Sequence, residues 1–84
     1  MAIRILYFAA LREALGCPGE TVELPPAPRT VESLLARLCG RGGSWAALAH
    51  TRNLRVAVNQ TMAQSGTELK DGDEVAFFPP VTGG

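Results

Sequence analysis

One stretch of the chain limits most of what it can become. Val31, Leu34, Leu35 and Leu38 recur at i, i+3, i+4 and i+7, an apolar stripe down one side of a helix. Glu32, Ser33 and Arg37 fall off the stripe. Pro25-Pro26-Ala27-Pro28 precedes it and cannot form a helix interior, because proline lacks the amide donor and clashes with the preceding turn. Thr30 then offers an N-cap oxygen, and Gly40, Gly42 and Gly43 stop the helix. At 84 residues the chain is one small domain with a thin core. The stripe therefore needs an apolar surface built from short strands.

The remaining segments supply those strands. Ala2 to Phe8 is β-branched and aromatic, with Ile3, Ile5 and Tyr7 on one face and Arg4, Leu6 and Phe8 on the other. Ala9 to Leu15 reads as a short helical turn ending at Gly16, and Gly16-Cys17-Pro18-Gly19 as a turn. Glu20 to Leu24 is a second strand, with Val22 and Leu24 apolar. Ser44 caps a short turn carrying Trp45 and Leu48, with Trp45 as partial core cover. Leu54 to Asn59 alternates as a half-buried strand. Asn59-Gln60 is a turn into a very short strand near Thr61-Met62-Ala63. Lys70-Asp71-Gly72-Asp73 is a turn, and Glu74 to Phe78 is the last strand, with Val75 and Phe77 on one face and Ala76 and Phe78 on the other. The sum is a two-layer α+β domain, a mixed sheet of roughly four to five strands packed on one main helix. Its second sheet face meets water or a partner. Phe8, on the same side as Arg4, and Phe78 point outward there and form an apolar interface patch.

Composition excludes several functions. Eight basic and eight acidic residues cancel, so no positive field favours non-specific nucleic-acid binding. A hydrophobic fraction of 46% argues against disorder. No apolar run approaches the ~20 residues that span a bilayer, and Met1-Ala2-Ile3-Arg4 does not begin a signal peptide. Cys17 and Cys39 have no CxxC spacing and no histidine at metal spacing; they read as free thiols of a cytoplasmic protein. Cys39 is expected to be buried and Cys17 exposed in its turn. His50 reads as a surface or loop residue. Asp71, Asp73 and Glu74 read as an exposed Gly-centred turn, since their spacing does not match a calcium loop.

The C-terminus carries the chemistry. After Phe77-Phe78, Pro79-Pro80 keeps the chain from turning back into helix or sheet. Six residues from Pro79 extend about 20 Å. Gly83 and Gly84, without side chains, let the backbone enter a narrow channel. Residues 75–84 carry no side-chain charge, so the terminal carboxylate stands alone in an apolar tail. The expected division is a domain over residues 1–78 and an extended flexible tail over 79–84. Nothing in the chain supplies a general acid, a base or an ATP site.

This strand order with its Gly-Gly end resembles the ubiquitin-like β-grasp fold. More narrowly, Tyr7-Phe8-Ala9-Ala10-Leu11-Arg12-Glu13, Ala57-Val58-Asn59-Gln60 and the run from Leu69 to Gly84, above all Phe-Phe-Pro-Pro-Val-Thr-Gly-Gly, resemble the sulfur-carrier subunits of molybdopterin synthase. The resemblance implies that an activating enzyme related to ubiquitin-activating enzymes uses ATP to adenylate Gly84. A donor such as a cysteine desulfurase or a rhodanese-like protein then supplies sulfur, leaving a thiocarboxylate. That sulfur attacks cyclic pyranopterin monophosphate on the large subunit of a heterotetrameric synthase and yields the molybdopterin dithiolene. It implies no cofactor bound to this chain, and neither nucleic acid nor membrane as partner. Phe8, Met62 and Phe78 would dock on the large subunit. Pro79, Pro80, Val81 and Thr82 would follow into its site, and Gly83 would give clearance to Gly84. The residues also allow a carrier for thiamin thiazole or cysteine synthesis, an isopeptide-forming modifier, or a plain interaction module.

Overall fold

The computed structural model describes residues 1–25, 27, 29–46, 48 and 54–79. Alternation places Ile3, Ile5 and Tyr7 of strand β1 (Ala2–Tyr7) in the interior, while Arg4 is exposed. The strand stops at Tyr7, one residue short of the expected end. Ala9 adopts φ 54°, a left-handed conformation unfavourable for a residue with a Cβ, and swings the chain into helix α1 (Ala9–Leu15), whose N-cap is Phe8. Gly16 ends α1 at φ 68°, where glycine avoids that penalty. Strand β2 (Gly19–Glu23) begins one residue earlier than its pattern suggested and runs antiparallel to β1.

Helix α2 (Val31–Cys39) forms where the stripe predicts it. Thr30 Oγ1 accepts from the Ser33 amide at 3.2 Å, and Ser33 Oγ accepts from the Thr30 amide at 3.0 Å, so two otherwise orphaned donors are satisfied reciprocally. Such a cap contributes about 1 kcal/mol. Burial of Val31, Leu34 and Leu38 weighs more, since truncating one buried leucine to alanine costs about 2–5 kcal/mol. The helix is therefore held mainly by its docking on the sheet. A 3₁₀ turn, Gly43–Ala46, follows and carries the half-buried Trp45, as expected.

Strand β3 (Arg55–Val58) turns into β4 (Thr61–Met62) through Asn59 at φ 51° and Gln60 at φ 69°. Two consecutive positive φ values match the twist of a two-residue hairpin. Asn59 tolerates this and locks it: its Oδ1 accepts from the Glu74 amide at 3.1 Å and its Nδ2 donates to Asp73 at 2.9 Å. The acidic turn before strand β5 (Glu74–Phe78) is likewise structural. Asp71 accepts from the Ala2 amide at 2.7 Å, and the Gly72 amide donates to the Ala2 carbonyl at 2.8 Å, clamping the start of β1.

The sheet order is β2-β1-β5-β3-β4, with β1 and β5 parallel at its centre and every other pair antiparallel. Ile3, Ile5, Tyr7, Val75 and Phe77 from the two central strands meet Val31, Leu34 and Leu38 of α2. Leu11, Leu24, Leu48 and Leu69 complete the core. Cys39 is half-buried against this cluster. Cys17 is half-buried too, not exposed, because the α1–β2 turn folds inward and its thiol donates to the Gly19 carbonyl at 3.2 Å. His50 lies outside the described residues.

Candidate docking face and carrier end

The sheet face away from α2 is built by the partners of the core residues. Pairing register sets Leu6 beside Ala76, Ala76 beside Ala57, and Ala57 beside Met62, so one row crosses four strands without a polar side chain. Toward the end of β5 the register sets Phe78 beside Arg55. The Phe8 amide donates to the Phe77 carbonyl at 3.2 Å, which brings Phe8 to the same end. In the opposite direction the row gives way to Arg4 beside Glu74. The face is thus an apolar band with a charged rim.

Exposure refines the expected patch. Phe8 is 45% exposed and Met62 57%, the large apolar side chains most open to water among the described residues. Phe78 is half-buried rather than fully outward, because it sits between neighbouring strands at the end of a central strand. Leu6, Ala57 and Ala76 belong to the same band and were not singled out from the sequence. The available signal was the alternation itself, since all three occupy the non-core phase of their strands. Ala57 is buried although it faces outward, flanked by Ala76 and Met62 on either side.

The end of β1 is anchored on the other side of the sheet. The Tyr7 hydroxyl donates to Glu20 at 3.0 Å. Arg41 donates to both oxygens of Glu20 at 2.8 and 2.9 Å, and its guanidinium lies 4.4 Å from the centre of the Trp45 ring. Trp45 meets Tyr7 edge-on at 5.5 Å, and Tyr7 stacks on Phe77 at 6.3 Å. Burial, then the bond to Glu20, push the Tyr7 phenol well above its ordinary value. The Arg41 hydrogen bonds hold the Glu20 carboxyl below the usual carboxylate range. Sequence reasoning missed this cluster, because it joins residues from four separate segments.

The carrier end leaves from this region. Strand β5 ends at Phe78, and Pro79 is half-buried beside it. Pro80, Val81, Thr82, Gly83 and Gly84, all expected to enter or serve a partner's site, lie outside the described residues. The apolar band and the start of the tail are therefore contiguous. Among the described residues no group of side chains suits a metal ion, and no helix is long and apolar enough to cross a membrane.

A mixed five-stranded sheet with a central parallel pair, one main helix across one face and a Gly-Gly end defines a ubiquitin-like β-grasp protein. Residues 5–84 match the ThiS family, and the chain belongs to that family. It is 43% identical to the molybdopterin synthase sulfur carrier subunit of Escherichia coli, over 98% of this chain and 99% of that one. A solved structure of the putative molybdopterin converting factor, subunit 1, of Pyrococcus furiosus superposes with a TM-score of 0.82 at 30% identity, covering 96% of this chain and 99% of that one. SAMP1 from Haloferax volcanii superposes with a TM-score of 0.81 at 29% identity, covering the whole of both chains.

Proposed function

We propose that the chain is the sulfur carrier subunit of a molybdopterin synthase, loaded and unloaded at Gly84. The observation that carries this reading is the contiguity of an uncharged band on the outer sheet face with the start of an uncharged, glycine-terminated tail. Its full-length relatives of the same name support it. A carboxylate is a poor acyl donor, because oxide leaves badly. Attack of a Gly84 oxygen on the α-phosphate of ATP expels pyrophosphate and gives an acyl-adenylate. A sulfur nucleophile then adds to the acyl carbon and AMP leaves, giving the thiocarboxylate. Its soft sulfur attacks an activated carbon of cyclic pyranopterin monophosphate on the large subunit, and water releases Gly84 as carboxylate. The activating enzyme, the sulfur donor and the large subunit supply the catalytic groups. This chain supplies the docking band and the reactive end.

The placement of its amines fits such a carrier. Lys70, the sole lysine, precedes β5, and Met1 precedes β1. In the parallel pair both therefore lie at the end away from Pro79, about 16 Å off at ~3.3 Å per strand residue. An activated acyl end thus leaves the sheet away from the chain's own amines.

The test is intact mass after incubation with ATP, a sulfide source and an activating enzyme of a molybdopterin synthase system. The expected result is the gain for one oxygen replaced by sulfur, lost when Gly84 is deleted and the fold retained. Similarity to SAMP1 favours a second reading, a carrier that is also conjugated to protein lysines. Lysine-linked conjugates without the sulfur mass would replace the first reading with the second.

A further inference from the structure

The outer band leaves one other surface unaccounted for, the free edge of β2. That strand ends the sheet, and among the described residues nothing pairs with its far side. The orientation of its backbone follows from two bonds. The Leu24 amide donates to the Met1 carbonyl at 2.8 Å, and the Tyr7 amide to the Pro18 carbonyl at 3.0 Å. Residues 18, 20, 22 and 24 therefore turn their backbone groups toward β1, and Gly19, Thr21 and Glu23 turn theirs outward. Arg4, opposite Thr21, confirms the phase, since its amide donates away from β2 to the Asp73 carbonyl at 3.0 Å. Apart from the Cys17 thiol on the Gly19 carbonyl, these outward groups have no partner among the described residues.

Edge strands are usually blunted by a lysine, a proline, a bulge or extreme shortness. The other edge, β4, is two residues long. β2 has five residues, no bulge in its register and neither lysine nor proline within it. Its outward ladder ends at Pro25, which has no amide to offer. Beside this edge runs a groove of about 580 Å³ between β2 and α2, with Val22, Leu34 and Leu38 along it. Its charges do not cancel. Glu20 is paired with Arg41, and Glu23 with the Met1 ammonium at 3.1 Å. Arg37, on the α2 wall, has no ion pair among the described residues and leaves the groove one positive charge in excess.

We infer that the β2 edge and the β2–α2 groove form a second docking site, which takes an extended peptide with aliphatic side chains at alternate positions and a flanking carboxylate. The peptide adds a strand to β2 through the backbone of Thr21 and Glu23. Its alternate side chains face Val22 and the α2 wall, and its carboxylate meets Arg37. This site lies on the opposite side of α2's sheet contacts from the outer band, so its occupancy leaves the proposed carrier docking face free.

The probe is the blocked peptide Asp-Val-Thr-Val-Thr-Val-Asp, titrated into the ¹⁵N-labelled full chain. Shifts of the Thr21, Glu23, Arg37 and Arg41 resonances, with slowed exchange of the Thr21 and Glu23 amides, are expected. Thr21→Pro removes an outward amide that β1 does not use, and should abolish those shifts. Arg37→Glu lies on an exposed helix surface. It should weaken this peptide about fivefold, the effect of one partly exposed ion pair, and leave a peptide with Asn in place of Asp unaffected. No shift at β2 up to about 1 mM peptide, the weak limit of specific binding, overturns the site. So do shifts confined to the Phe8–Met62 band. Concentration-dependent shifts of β2 without peptide overturn it in favour of a second copy of this chain on the same edge.

Discussion

Replacing Arg41 by methionine tests what fastens the glycine-rich loop after α2 to the sheet. Methionine keeps most of the aliphatic stem and removes the guanidinium. Two bonds to Glu20, at 2.8 and 2.9 Å, are lost. With side chains 36% and 23% exposed, the pair falls between a surface ion pair, at about 0–1 kcal/mol, and a buried charged hydrogen bond, at about 1.5–3 kcal/mol. A value near 1 kcal/mol is appropriate. Loss of the stacking on Trp45 adds about 0.5–1 kcal/mol. The total, about 1.5–2 kcal/mol, is a large share of the ~4–12 kcal/mol expected for a domain this size. At about 4–8 °C per kcal/mol it lowers Tm by roughly 10 °C. The assay is thermal and urea unfolding, followed by circular dichroism, of the parent, Arg41→Met, Glu20→Gln and the double variant. A coupling of about 1 kcal/mol between the two sites is expected. Because Arg41 holds the folded Glu20 carboxyl below its unfolded value, the pair's contribution is complete above about pH 5. It fades as pH falls through the folded value. The gap between parent and Arg41→Met should therefore narrow in acid. Coupling below about 0.3 kcal/mol, or a gap that does not narrow in acid, refutes the assigned role.

Three further outcomes follow from named contacts. The Tyr7 phenol titrates higher in the folded than in the unfolded chain, so its contribution is complete below about pH 10 and is lost as pH rises beyond that. Tyr7→Phe should cost about 1 kcal/mol at neutral pH and flatten the alkaline fall in stability, read from urea midpoints across pH. Gln60→Gly relieves a left-handed residue in the β3–β4 turn at φ 69° and should stabilise the fold by about 0.5–1 kcal/mol, measured as a rise in Tm. Met62→Asp, at an exposed position, should change stability by under about 0.5 kcal/mol yet weaken binding to the large subunit at least about tenfold by calorimetry; unchanged affinity removes Met62 from the docking face.

Local pattern made the elements visible. The stripe from Val31 to Leu38 and the phase of Val75 and Phe77 depend only on spacing, and Thr30 caps the helix as its side chain predicts. The strand ends shifted where backbone conformation overruled composition. Ala9 takes a left-handed φ that nothing in Phe8-Ala9-Ala10 announces, so β1 closes at Tyr7. The Gly-Gly end was legible because its chemistry lies in the absence of side chains. The outer band was only half legible. Period-2 alternation tells which side of a strand Leu6 or Ala57 occupies, but not which strand lies next to it. That needs the parallel pairing of β1 with β5, between segments some seventy residues apart in the chain.

The same topology separates two kinds of residue. Tyr7, Glu20, Arg41 and Trp45 interlock on the helix side of the sheet, where charged and aromatic groups satisfy one another. Leu6, Phe8, Ala57, Met62 and Ala76 lie on the other side or at its end, where no polar group demands a partner and exposure persists. Tyr7 and Phe8 are adjacent in sequence yet fall into different sets, one anchoring the strand and the other projecting where the tail begins. Substitutions in the first set should move Tm and leave partner affinity almost unchanged once the protein is folded. Those in the second should do the reverse. A carrier that must be recognised by several partners and still hold one reactive end in place benefits from that separation, because the docking side can vary without loosening the anchor.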